Sequence, residues 1–141
     1  MRSFPLLLYL LRSQPKEVIG INEYELIKSH TIMGMKILED IKQLNHVIRI
    51  VGCHHEHYNG KGYPYGLKGD EIPVESQIIA VADAYDGLTS ERAYRRSMSH
   101  EEAVKLIKAA SGSQFSPEVI DAFLKVIDTA KEEAKIFEQK N

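Results

Sequence analysis

The sequence predicts an all-α domain, and three observations carry that reading. Apolar residues recur at helical spacing in five separate stretches, helix-start signals precede several of them, and no segment shows sustained alternation of period two. The first stretch opens at Asn22 and Glu25, a capping pair, and carries Leu26, Ile27, Met33, Ile37, Leu38 and Ile41 as its apolar positions. A second helix is expected from about Leu44 to Glu56. The run from Asn59 to Pro73, with Gly60, Gly62, Gly66 and Gly69 and two prolines, is too rich in breakers for regular structure. A third helix spans roughly Val74 to Leu88. Ser99 and Glu102 cap a fourth, which carries Ala103, Val104, Leu106 and Ile107. Ser116-Pro117 opens a fifth, with proline at the tolerated first position and Val119, Ile120, Phe123, Leu124, Val126 and Ile127 along its apolar face. The architecture that follows is a single helical bundle.

Length and composition bound the rest. The 141 residues make one domain, and a chain of that size buries roughly two-thirds of its unfolded surface without needing a disulfide or a structural metal to fold. Apolar residues are 43% and charged residues 27%, with net charge −2, so no global field points to a nucleic acid polymer or an anionic membrane. The single cysteine, Cys53, cannot close an internal disulfide and fits a reducing cytoplasm, the expected location. Residues 1–22 form an atypical apolar start, 23–130 the domain proper, and 131–141 a charged helix end or tail expected to fray. Within the start, Phe4 to Leu11 is too short to span a bilayer, which takes about 20 helical residues. It reads as a short core element or as a shortened signal peptide, but Arg12 to Pro15 offers no small-residue cleavage site.

Several residues are of types that carry chemistry. His54 and His55 are adjacent imidazoles, suited to two metals or to a bend at a helix end, with His57 a turn beyond; a polar helix terminus explains them equally well. His30 has Leu26, Ile27, Met33 and Gly34 as its helical neighbours, which assigns it to the buried stripe as a core histidine or, with Gly34 leaving space beside the ring, a ligand. Asp83 sits among Ile78, Ile79, Ala80, Val81, Ala82, Ala84 and Tyr85, so a buried carboxylate requiring a metal, a cation or donors is expected there. Asp86 reads as a supporting or solvent-facing group. The glycine-rich loop brings Lys61 and Lys68 as cations and Tyr63 and Tyr65 as rings able to stack on a base; an ordinary connector is the other reading. Arg92, Arg95 and Arg96 make a phosphate clamp or a solvated basic turn. Cys53 and His100 read as incidental.

The segments HHEHYNGKGYPYGLKGDEIP, IIAVADAYDGLTSERAYRRSMSHEEAVKLI and GSQFSPEVIDAFLKV resemble, in order and spacing, the HD-GYP domain family, over about Glu23 to Ile127. The resemblance implies the helical HD fold and a bi- or trinuclear site of iron or manganese that hydrolyses cyclic di-GMP to the linear dinucleotide or GMP. It implies that His30, His54, His55 and Asp83 are metal ligands and that Arg92 and Arg95 hold phosphates. It further implies that Gly62-Tyr63-Pro64, with Lys61, frames the substrate. The departure is the His-Asp pair that names the fold: residues 1–29 contain neither histidine nor aspartate. The expectation is a chain truncated at or before that dyad, binding metal sub-stoichiometrically, at most one ion tightly, and turning over slowly or not at all. A catalytically inactive module that senses cyclic di-GMP or a related dinucleotide, self-associates or contacts a signalling partner is the alternative.

Overall fold

The computed structural model describes residues 21–91 and 97–138, with side chains described over 28–91 and 97–130. The helices are α1 (Ile21–Glu39), α2 (Asn45–Gly52), α3 (Val74–Thr89), α4 (His100–Ala109) and α5 (Pro117–Glu138), with 3-10 turns at Lys42–Leu44 and Gly69–Glu71. Among the described residues there is no strand, only two isolated bridges, Asn59 with Lys68 and Ser111 with Phe115. None of the described helices is long and apolar enough to cross a membrane. The apolar run Phe4 to Leu11 lies outside the described residues.

The chain builds two packed groups. α1 and α2 form a hairpin, and α3, α4 and α5 pack on one another, with α2 also touching α3. In the hairpin the helices approach closely because Gly52 has no side chain: a Cβ there would run into the Met35 side chain. At Gly34 a Cβ would lie 3.5 Å from Val51, an ordinary contact, so α2 does not itself require glycine there. The core of the second group is Val81, Ala84 and Leu88 from α3 against Ala103, Ile107, Phe115, Val119 and Ile120, the type of contiguous apolar contact that supplies most folding free energy.

Local signals set the helix ends. Ser99 accepts from the Glu102 N–H at 3.2 Å while the Ser99 N–H donates to the Glu102 carboxylate at 3.0 Å, the reciprocal cap the sequence predicts. Ser116 Oγ accepts from the Val119 N–H at the head of α5, and Pro117 takes the first helical position. α5 continues as helix to Glu138.

Three expectations need correction. α2 ends at Gly52, not Glu56, so His54, His55 and His57 stand on the turn beyond it. The apolar positions of the first stretch are not all core: Met33 and Ile37 on α1 are exposed, and so is Ile41 just beyond its end, while Met35 meets Gly52 of α2. His100 is not incidental. Its Nδ1 lies 2.9 Å from the Tyr85 hydroxyl and its Nε2 3.5 Å from Asp128, so one ring ties α3, α4 and α5 together.

Candidate metal centre

The end of the α1–α2 hairpin brings three imidazoles to one point. His30 comes from α1, and His54 and His55 from the turn after α2; one ring nitrogen of each lies within 4.8 Å of the others. Ring centroids are 4.0 Å apart for His54 and His55, 4.9 Å for His30 and His55, and 5.6 Å for His30 and His54. His54 Nδ1 is 2.6 Å from the Val51 carbonyl oxygen. A carbonyl only accepts, so Nδ1 carries the proton and Nε2 presents its lone pair outward, the usual way a protein fixes the tautomer of a metal-binding histidine. Burial pushes the His55 ring down to about 3, and the neighbouring His54, His30 and His57 rings push in the same direction. His55 is therefore a neutral imidazole at ordinary pH, the form that ligates.

His30 is exposed, contrary to the buried stripe expected for it, because it stands at the rim of the hairpin while Thr31 beside it is fully buried. Asp83 is also exposed. α3 turns Ile78 and Ile79 outward too, so an apolar sequence context does not bury this carboxylate, and it needs no compensating partner on that ground. Asp83 lies apart from the three-imidazole group but lines, with His54, His55, His57, Gln114 and Phe115, an open cavity of about 20 Å³ beside it. Asp86 is exposed, as expected for a solvent-facing group, and accepts from the Ser90 hydroxyl at 2.8 Å at the end of α3.

The glycine-rich loop is pinned by a residue the sequence did not single out. The Glu56 carboxylate is buried and accepts the N–H groups of Tyr65 at 2.6 Å and Leu67 at 3.0 Å. Charge-assisted bonds of this kind are the stronger class, and an acidic residue placed between histidines just before a glycine loop is the signal that could have found it. Gly60, Gly66 and Gly69 take positive φ, and Tyr63-Pro64 is a cis peptide. Tyr63 is buried, stacked on His55 with centroids 5.0 Å apart, and its N–H donates to the His55 carbonyl at 3.2 Å. It packs on the His55 ring and is not a platform open to a base. Tyr65 is exposed, its hydroxyl 3.5 Å from Met35 Sδ, and Lys61 and Lys68 point to solvent. Gly62 lies hard against the backbone of Glu56 and His57, and Pro64 is half-buried. Cys53 is buried, and burial first, then Glu56, raises its thiol, which disfavours the thiolate. Arg92, Arg95 and Arg96 lie outside the described residues.

Three neutral-capable imidazoles, one of them locked in its tautomer, suit a divalent transition ion. The fold and this cluster define a class: a helical domain with a three-imidazole group able to hold a divalent ion. A family model described as an HD domain matches residues 8–119. A cyclic di-GMP phosphodiesterase of Thermotoga maritima is 44% identical over 113 residues, 77% of this chain and 30% of its own length. A 3'3'-cGAMP-specific phosphodiesterase 3 of Vibrio cholerae is 32% identical over 111 residues, 79% of this chain and 24% of its own length. A solved HDG"Y"P protein from Bdellovibrio bacteriovorus superposes with TM-score 0.62 at 25% identity, covering 82% of this chain and 37% of that one. The chain belongs to the HD domain family, in its HD-GYP branch. It spans less than a third of the length of these two curated relatives.

Proposed function

We propose that this domain is a metal-dependent phosphohydrolase of the HD-GYP type, acting on cyclic di-GMP or a closely related cyclic dinucleotide. The observation that carries the reading is the group of His30, His54 and His55 with ligand atoms within 4.8 Å of one another, beside a cavity lined by Asp83. These three imidazoles hold the ion, iron or manganese, and Asp83 contributes from α3. When bound, the ion supplies Lewis-acid polarisation of a phosphoryl oxygen and lowers the pKa of its water. The chain's own residues orient and enclose. The Val51 carbonyl fixes His54, Tyr63 backs His55, and Glu56 holds the Gly62-Tyr63-Pro64 loop in register. Lys61 on that loop, with Arg92 and Arg95, offers cations to the phosphates. The products are the linear dinucleotide or GMP. The relatives named for cyclic di-GMP and for 3'3'-cGAMP support the substrate class.

This chain as it stands holds at most one ion tightly and turns over slowly or not at all. Its sequence has no His-Asp dipeptide, and without a carboxylate to bridge them, two like charges at close range repel. The same ligand set favours a second reading, a module that binds the dinucleotide without hydrolysing it.

One preparation tests both. The chain is purified anaerobically, its metal counted by mass spectrometry, and the same sample assayed for cyclic di-GMP hydrolysis and binding beside His55→Ala and Asp83→Ala. A single ion that His55→Ala removes, with weak turnover lost in both variants, is the expected outcome. Binding with no turnover at all selects the sensing module. A parent chain that takes up no metal ends both readings.

A further inference from the structure

His57 stands apart from the imidazole group yet shares its cavity. Its ring nitrogens are not among the ligand atoms gathered within 4.8 Å, while the residue lines the same space as His54, His55 and Asp83. His57 is 8% exposed, and no hydrogen bond or ion pair joins its ring to another described residue. A buried imidazole without a partner is costly, and native structures avoid it. No sealed, unsatisfied side-chain nitrogen exists among the described residues. The polar edge of His57 therefore keeps access, and the cavity is the space it borders.

The backbone that carries this ring is firmly held. The His57 carbonyl accepts from the Gly60 N–H at 2.8 Å. On its C-terminal side the Tyr58 and Asn59 N–H groups donate to the carbonyls of Gln114 at 3.0 Å and Ser113 at 2.9 Å. Gly62 closes against the His57 backbone, leaving no room for a side chain. A buried residue whose backbone is held this firmly, bordering a space of about 20 Å³ that admits one oxygen-sized group, is pre-organised to contact a ligand atom.

We propose that His57 is a further substrate-binding residue of this site, donating a ring N–H to a non-bridging phosphate oxygen of the phosphodiester that faces the metal. This rests on the metal reading above. The assignment as donor rather than ligand follows from its nitrogens lying outside the clustered ligand atoms. The anion also depends on the ion: Asp83 borders the cavity, and its carboxylate repels phosphate unless a cation offsets it. Among the cavity residues, Glu56 is the other carboxylate, and its oxygens are engaged by the loop amides.

The test uses the Mn²⁺-loaded chain with inorganic phosphate as probe, read by the relaxation of its ³¹P signal, in the parent, His57→Phe and His57→Gln. Metal content and urea midpoint are measured on each. All three proteins are expected to carry the same metal, with phosphate affinity about tenfold lower or more in His57→Phe and partly retained in His57→Gln, whose amide still donates. Should the Phe ring disturb folding, His57→Ala against His57→Gln reads the same contrast. Equal phosphate affinity in parent and apolar variants overturns the assignment, and so does loss of metal in a folded variant, which would make His57 a ligand. A parent that takes up no Mn²⁺ removes the metal reading and the His57 role with it. If phosphate binding follows His57 but cyclic di-GMP does not bind, the dinucleotide reading alone fails.

Discussion

Glu56→Gln isolates the carboxylate that organises the glycine-rich loop. The side chain is buried, and each oxygen accepts one backbone N–H, from Tyr65 at 2.6 Å and from Leu67 at 3.0 Å. The amide keeps the volume but only one acceptor. One charge-assisted bond is lost, worth about 1.5–3 kcal/mol, and the other falls to a neutral bond worth about 1 kcal/mol. The lost acceptor is replaced by an NH2 that faces a backbone donor, although Tyr65 is exposed and water can relieve part of the penalty. The net expectation is a loss of about 2–4 kcal/mol, a fall of about 1–2 M in the urea midpoint at ordinary slopes. The same loop backs His55 through Tyr63, so metal affinity falls as well. The assay is urea unfolding by circular dichroism, with amide hydrogen exchange at Tyr65 and Leu67. A midpoint within about 0.3 M of the parent, with those two amides exchanging at parental rates, would refute the claim that Glu56 holds the loop.

Two further outcomes follow from the same geometry. Gly62→Ala puts a Cβ onto His57 N and 2.5 Å from the Glu56 Cα and carbonyl carbon, all backbone atoms that cannot step aside. It is expected to cost about 3 kcal/mol or more, and a urea midpoint equal to the parent's would contradict that close approach. The stability of the metal-free chain is expected to fall with pH. His55 has an ordinary value of 6.5 and is held at about 3 by burial and its neighbours. Between those values the unfolded state therefore binds the extra proton and is favoured. His57 is lowered by burial in the same direction. Full stability lies above about pH 6.5 and drains away towards pH 3. Urea midpoints in chelator across that window should decline more steeply for the parent than for His55→Ala, and parallel slopes would count against the assignment.

Local signals in the sequence settled the secondary structure well. The Ser99–Glu102 cap, the Ser116-Pro117 start and the α3 span from Val74 rest on neighbours within one helical turn, and such contacts are written into adjacent residues. The paired histidines and the Gly62-Tyr63-Pro64 loop were legible for the same reason. Long-range packing decided the rest. Asp83 and His30 were read as buried from apolar neighbours, but helical spacing identifies a face and does not say what covers it. α3 leaves Ile78 and Ile79 in solvent, and on α1 Thr31 is buried while His30 beside it stays exposed. Tyr63 looked like a free ring and is instead packed on His55. Glu56 acquires its role only when residues nine and eleven positions on fold back over it. Residue types and turn chemistry fix what the chain can bond locally. Only closure of the α1–α2 hairpin and the return of the loop determine which imidazoles meet and which carboxylate is taken out of water.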